Sequence, residues 1–275
     1  MHTDEMFVCF CGLNLFLPWI FFKITNGYLI VQVPRFICGI NPKSKIQNCM
    51  TIMLTNDDGI DAPGIQALFQ AINGKKAIIA APQEHQSGCG HTVTTTRGIN
   101  LQRRSENEYA IAGTPADCVR IATTQICPEI KFVLSGINAG GNLGVDAYIS
   151  GTIAAVREAA TQDIPGIAIS QYHKGKQSFD WDLAAKLTAK VLADLLPRPL
   201  KPGCFWNVNL PHLQPGDADP QIVFCQPCTK PLPIKYRIDG DDFYYVGEYS
   251  KRDRTPGSDV DVCFSGNIAV TQLTI

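Results

Sequence analysis

Asp57 and Asp58 stand side by side shortly after the run Thr51-Ile52-Met53-Leu54, with Thr55 and Asn56 between and Gly59 immediately after. Two adjacent carboxylates repel each other unless a proton or a cation intervenes. Their oxygens suit a hard cation such as Mg²⁺ or Mn²⁺. Taken alone, an Asp-Asp pair is most simply a solvated acidic turn or a helix cap, so its chemistry depends on what the fold brings beside it. A second polar loop, Pro82 to His91, carries His85, Ser87, Gly88 and His91. A third, glycine-dense stretch from Gly136 to Gly144 carries Asn138 and Asn142, and Ser150-Gly151-Thr152 follows it. Glycines let backbone N–H groups approach an anion closely, and a helix that begins at Ser150-Gly151-Thr152 favours a phosphate at its N-terminus. Carboxylates for a metal beside an amide cradle for a phosphate point to metal-dependent phosphoryl transfer or hydrolysis.

Each feature also has a plainer use. The glycine run is not a P-loop, because no Gly-Lys-Ser/Thr follows it, and it lacks the Gly-x-Gly-x-x-Gly spacing of dinucleotide binders. Ser150 is a good N-cap in its own right. Ser87 and Asn138 are common turn residues. His85 and His91 lack a third ligand at zinc-like spacing. What sets these residues apart is their shared placement after successive strands.

The elements that must position them read as an alternation. Thr51 to Leu54 is a short buried strand, and Pro63 with Gly64 opens a helix. Lys76 to Ala81 is the next strand; Thr92 to Thr96 and Tyr109 to Ala112 are β-prone. Thr114-Pro115-Ala116-Asp117 carries an N-cap, an N1 proline and the acid of a capping box. Lys131 to Ser135 is a buried strand, followed by a glycine loop and a helix from Ile153 to Thr161. Ile164 to Ser170, Phe179 to Leu196 and Phe205 to Leu210 complete a strand, helix, strand series, and Gly266 to Leu273 is a last strand. Strands alternating with helices of this length imply parallel βαβ units, whose ligands bind at the carboxyl ends of the strands. The expected class is therefore α/β, a Rossmann-like three-layer fold around a mostly parallel sheet. From about residue 222 to 257, proline, tyrosine and charge dominate, with alternation around Asp242-Phe243-Tyr244-Tyr245-Val246. That stretch reads as an extended β-hairpin arm, a common device for subunit exchange.

Composition narrows the function. With 275 residues and 45% apolar content the chain can build a substantial core, and its net charge of −1 gives no general attraction to nucleic acid or acidic membrane. Lys75-Lys76 and Arg103-Arg104 are isolated basic pairs. Eleven cysteines, an odd number, are scattered along the chain and read as reduced thiols of a cytoplasmic protein. Cys225-Gln226-Pro227-Cys228 is a single close pair without the second pair of a zinc ribbon, so it reads as structural. Residues 1–49 differ from the rest. Phe7 to Phe22 is apolar and uncharged, yet it follows Asp4 and Glu5, lacks a small-residue cleavage site and is interrupted by Pro18. It is also shorter than the ~20 apolar residues of a membrane span. The expectation is an N-terminal extension upstream of the true start at Met50, with a weak membrane anchor as the alternative.

The motifs Leu54-Thr55-Asn56-Asp57-Asp58-Gly59-Ile60-Asp61-Ala62-Pro63-Gly64-Ile65, Ala81 to Gly88, Gly113 to Val119, Leu134 to Gly144 and Tyr148 to Thr152 occur in this order. Together they closely resemble the SurE family of 5′/3′-nucleotidases, the stationary-phase survival proteins, over about Met50 to the C-terminus. The first 49 residues have no counterpart in that family, and many relatives continue beyond the position of Ile275. The resemblance implies one divalent cation, Mg²⁺ or Mn²⁺, held by Asp57, Asp58, Ser87 and Asn138. It implies a substrate phosphate surrounded by Asn142, Ser150, Gly151 and Thr152. It also implies nucleoside monophosphates, and for some members short polyphosphate, as substrates. Homodimers or homotetramers formed through the C-terminal segment are implied as well.

On that ligand set the expected mechanism is a metal-activated water attacking phosphorus, with Asp57 and Asp58 as the catalytic carboxylates. A branch with Asp57 as nucleophile or general base remains open, although aspartyl-phosphate phosphatases typically show Asp-x-Asp. The alternatives of another class are a non-catalytic nucleotide-binding protein and a receiver-like phospho-signalling module. The latter wants a phospho-accepting Asp after a later strand, where this chain has Ser135-Gly136-Ile137-Asn138.

Overall fold

β-branched and apolar residues concentrate in Thr51-Ile52-Met53-Leu54-Thr55, and all five side chains are buried. This strand lies inside the central sheet of its unit, and helices pack on the two faces of that sheet. The computed structural model describes residues 21–25, 28–32, 51–175 and 178–275. The chain divides into two units, Met1–Gln47 and Asn48–Ile275. In the first, β1 (Phe21–Thr25) and β2 (Tyr28–Gln32) pair as an antiparallel hairpin. Most of the apolar run that begins at Phe7, together with Met50, lies outside the described residues.

In the second unit the elements follow in order. They are β3 (Thr51–Thr55), α1 (Pro63–Ala71), β4 (Ala77–Pro82), β5 (Leu101–Arg103), β6 (Glu108–Ile111), α2 (Pro115–Ile121) and β7 (Ile130–Ala139). After these come α3 (Gly151–Thr161), β8 (Gly166–Gln171), α4 (Trp181–Leu195), β9 (Cys204–Leu210) and β10 (Ile222–Phe224). The chain closes with β11 (Tyr236–Asp239), β12 (Asp242–Tyr245), α5 (Asp259–Phe264) and β13 (Ile268–Thr274). Nine strands form the central sheet in the order β10-β13-β9-β8-β7-β3-β4-β6-β5. The pairings from β6 through β4, β3, β7 and β8 to β9 are parallel, while β13 runs antiparallel to β9 and β5 antiparallel to β6. Alternate residues of β3 face opposite layers. Ile52 and Leu54 join a core with Leu68 of α1 and Leu192 of α4, and Met53 joins one with Val119 of α2 and Val156 of α3. The expected three-layer, mostly parallel α/β fold is thus the observed one.

The capping box is formed as read: the Asp117 N–H donates to Thr114 Oγ1 at 3.1 Å, and the Thr114 N–H donates back to Asp117 Oδ2 at 3.0 Å. Three readings of local structure need correction. Thr92 to Thr96 is not a strand. The Thr94 N–H goes to Asp117 Oδ1 at 2.9 Å and the Thr92 carbonyl accepts from the Thr114 hydroxyl at 2.7 Å, so side chains take the groups that a sheet ladder would use. The segment Gly136 to Ala139, read as loop, continues β7. Gly136 adopts φ +138°, and a β-carbon there would lie 2.2 Å from the Ile169 carbonyl oxygen, so the glycine serves close strand approach rather than a turn. The extended arm is narrower than residues 222–257. Its ribbon is β11 with β12, whereas β10 pairs in parallel with β13 inside the main sheet, where Val223 packs beside Ala269. Among the described residues no helix is long and apolar enough to cross a membrane.

Candidate active site

β3 lies between β4 and β7, so the loops leaving their carboxyl ends converge on one sheet edge. Backbone and side-chain bonds then tie them together. The Gln86 N–H donates to the Asp57 carbonyl oxygen at 2.7 Å, and His85 Nδ1 lies 3.5 Å from Asp58 Oδ1. From the other side the Ala139 N–H donates to Asp58 Oδ2 at 3.1 Å. Asn56 braces the turn below, its side-chain nitrogen donating to the Gly59 carbonyl at 2.8 Å.

Asp57 is 4% exposed and faces the first turn of α3. The Thr152 hydroxyl donates to Asp57 Oδ1 at 2.5 Å. A β-carbon at Gly151 would lie 2.8 Å from Asp57 Cβ and 3.0 Å from Oδ2, so only glycine lets the helix begin this close to the carboxylate. Burial pushes the Asp57 carboxyl above the usual carboxylate range; the Asp58 charge pushes it the same way and the Thr152 hydrogen bond opposes both. No lysine or arginine forms an ion pair with Asp57 among the described residues. A buried carboxylate beside a second one, with no lysine or arginine paired to it among the described residues, is the donor set that a divalent cation would complete.

The other expected residues fall into distinct positions. Asn138 lies at the end of β7, half-buried; its side-chain nitrogen donates to the Gly140 carbonyl at 2.8 Å, which leaves its side-chain oxygen as an acceptor. Ser87 is exposed, one residue past the Gln86 link to Asp57. Ser150 is the N-cap of α3, its hydroxyl accepting from the Ile153 N–H at 3.2 Å. The N–H groups of Gly151 and Thr152 then lie in the first turn, where a helix supplies no internal acceptor. Asn142 is buried, and its side-chain nitrogen donates to Ser170 Oγ at 2.8 Å. Its backbone is gripped from β9: the N–H donates to Asn209 Oδ1 at 2.7 Å, and the carbonyl accepts from Asn207 and Asn209 at 2.9 and 3.0 Å. The structure thus draws Asp57, Asp58, Asn138, Gly151 and Thr152 around one edge, while Asn142 anchors the loop between them.

Sequence reasoning missed two features. The hydroxyl of Thr152, a residue read only as part of the phosphate cradle, also serves Asp57, and no local sequence signal announces a contact between segments so far apart in the chain. His91, read as a loop histidine, binds Glu158 Oε2 through Nε2 at 2.8 Å, and Arg120 Nε donates to Glu158 Oε1 at 2.7 Å. This latch fastens the far end of the β4 loop to α3. Cys225 and Cys228 are both free thiols. Burial, reinforced by the Asp259 charge, pushes Cys225 up to about 11, which suits a structural rather than a reactive thiol.

A doubly wound α/β sheet with an acidic pair and an open helix N-terminus at its carboxyl edge defines a ligand-binding α/β protein whose site favours a cation and an anion together. The model of the family "Survival protein SurE" matches residues 52–230, and the chain belongs to that family. A Nostoc sp. protein bearing the name "Putative 5'-nucleotidase alr3139" is 77% identical over 226 residues, which is 82% of this chain and 100% of the relative. The protein named 5'-nucleotidase SurE from Hyphomonas neptunium is 32% identical over 236 residues, covering 82% of this chain and 93% of its own. The crystal structure of SurE protein from Aquifex aeolicus superposes with a TM-score of 0.71 at 29% identity, covering 82% of this chain and 93% of that one.

Proposed function

We propose that this chain is a metal-dependent phosphomonoesterase that hydrolyses nucleoside 5′-monophosphates, and 3′-monophosphates, to nucleoside and phosphate, with short polyphosphate as a further substrate. The observation that carries the reading is Asp57, buried beside Asp58, held by Thr152 and placed against the N-terminus of α3 with no lysine or arginine paired to it among the described residues. The names of the relatives as 5′-nucleotidases support the substrate class. Residues 50–275 carry the activity in this reading.

Asp57, Asp58, Ser87 and Asn138 would hold one Mg²⁺ or Mn²⁺. Bound there, the cation would supply a more acidic water and neutralise charge on the phosphoryl group. The rest falls to the chain itself. Thr152 fixes the rotamer of Asp57, and Ala139 with His85 fixes Asp58. The first-turn N–H groups at Gly151 and Thr152 face the phosphate and stabilise the charge that grows on its oxygens. Asn142 holds the glycine loop against β9, and Ser150 caps the helix so that its dipole ends at the site. The exposed apolar ribbon of β11 and β12 supports assembly of a homodimer or homotetramer through the arm.

Phosphate release from a panel of 5′- and 3′-nucleoside monophosphates and tripolyphosphate, with the full chain and with residues 50–275, tests this reading. Turnover of the 5′-nucleotides by both proteins, and its loss in Asp58→Asn, is the expected result. Nucleotide binding without turnover in any divalent metal would overturn it in favour of a non-catalytic nucleotide-binding protein.

A further inference from the structure

The turn that delivers the α3 N-terminus is held from a distant part of the chain. Asp146 is 4% exposed and organises that turn from both ends. Its Oδ2 accepts from the Leu143 N–H at 3.1 Å, and its main-chain carbonyl accepts from the N–H groups of Ile149 and Ser150, each at 3.1 Å. Ser150 is the residue that caps α3. Two side chains from beyond the ribbon close on the same carboxylate. Arg252 Nη1 donates to Asp146 Oδ2 at 2.7 Å, and Nη2 to the Leu143 carbonyl at 3.2 Å. The Tyr249 hydroxyl donates to Asp146 Oδ2 at 2.5 Å and lies 3.3 Å from the Gly141 carbonyl oxygen. The Arg252 guanidinium also stacks over the Tyr249 ring, 4.9 Å from its centroid. A second carboxylate of the same segment, Asp259, accepts from the Gly144 N–H at 2.6 Å.

Arg252 is 3% exposed, so its charge is removed from water for one carboxylate partner. Such a pair is a poor source of net stability, because desolvation consumes most of the attraction. It is imperfect here as well: Arg252 Nε and Asp146 Oδ1 are buried without hydrogen-bond partners. What the arrangement does supply is position. Arg252 and Tyr249 touch the loop at Gly141, Leu143 and Asp146, and Asp146 in turn holds Ser150.

We propose that Arg252 and Tyr249 are positioning residues for phosphate binding: through Asp146 they lock the turn that aims the first-turn N–H groups of α3 at the phosphate. Because both residues directly follow the ribbon β11–β12, the docking of this C-terminal segment and the readiness of the phosphate cradle are coupled. The inference rests on the phosphomonoesterase reading for its substrate, and inorganic phosphate provides a readout that does not need turnover.

The experiment uses the full chain as parent, Arg252→Met, Arg252→Lys and Tyr249→Phe, with melting temperature recorded for each. Inorganic phosphate affinity is measured by calorimetry, and KM and kcat are measured on 5′-nucleoside monophosphates. Arg252→Met and Tyr249→Phe are expected to weaken phosphate binding and raise KM in parallel by about tenfold, the scale of one lost hydrogen bond to a charged group. The kcat values should fall as well, because the same N–H groups stabilise the charge that grows on the phosphate, and Arg252→Lys should recover part of both losses. If Arg252→Met does not fold, Tyr249→Phe, which keeps its ring in place, decides the matter alone. Folded variants with the parent's phosphate affinity and KM would overturn the inference, as would a parent that binds no inorganic phosphate. A parent that binds phosphate but turns over no nucleotide would instead overturn the phosphomonoesterase reading while leaving the phosphate-affinity comparison in force.

Discussion

The Thr152 hydroxyl donates to Asp57 Oδ1 across 2.5 Å, joining the second residue of helix α3 to the acidic pair at the end of β3. One side chain therefore sets the orientation of the buried carboxylate and lies within the helix turn assigned to phosphate. Thr152→Val keeps the shape of the residue and removes the donor. It is expected to lower kcat/KM by about ten- to a hundredfold, the usual cost of misorienting a charged catalytic group, with Thr152→Ser restoring most of it. Steady-state kinetics of the two variants checks this. Equal activity of Thr152→Val and parent would show that Asp57 needs no such restraint.

The latch of Glu158 with His91 and Arg120 makes a prediction about pH. Burial alone would raise the Glu158 carboxyl, but the hydrogen bonds from His91 and Arg120 outweigh it and bring its pKa from 4.5 to about 2. A carboxyl lowered in the folded state contributes stability above its unfolded value, and that contribution disappears as pH falls through the folded one. It should be complete above about pH 4.5 and lost toward pH 2, with a size on the order of 3 kcal/mol. Glu158→Gln is expected to lower the denaturant midpoint clearly at pH 7 and much less near pH 2.5. An equal loss at both pH values would contradict the charge-based account.

The ribbon predicts assembly. Tyr236 pairs with Tyr245 and Ile238 with Phe243, and all four side chains are exposed, Ile238 by 64% and Phe243 by 66%. A two-stranded ribbon with an uncovered apolar face needs a partner surface, and a second copy of this chain is the occupant proposed. Sedimentation of the parent is expected to show a dimer or tetramer, and Ile238→Ser with Phe243→Ser to shift it to monomer. A monomeric parent at micromolar concentration would contradict this.

How far the sequence disclosed the molecule follows from the range of its signals. The strands β3, β4, β7, β8 and β9 were legible because each is a short apolar run between turn residues, and α2 because Thr114, Pro115 and Asp117 mark its start. The convergence of Asp57, Asp58 and Asn138 followed from parallel topology alone. Thr92 to Thr96 misled because β-propensity says nothing about a distant carboxylate, here Asp117, that claims the backbone. Gly136 misled because a glycine that admits a neighbouring strand looks the same in sequence as one that turns the chain. Helix α5 has only six residues, and its Asp259 serves Gly144 and Cys228 as well as its own first turn, so no periodicity announced it. The clasp of Arg252 and Tyr249 on Asp146 joins residues more than a hundred positions apart and left no local trace.

The central claim is that the acidic pair works by holding a divalent cation for phosphate ester hydrolysis, and chelation tests it most directly. Phosphate release from 5′-nucleoside monophosphates is measured on the parent after EDTA treatment and then after addition of Mg²⁺ or Mn²⁺. The account predicts that EDTA abolishes turnover and that the metal restores it in the parent but not in Asp58→Asn. Turnover indifferent to chelation, or an Asp58→Asn variant as active as the parent, would contradict it.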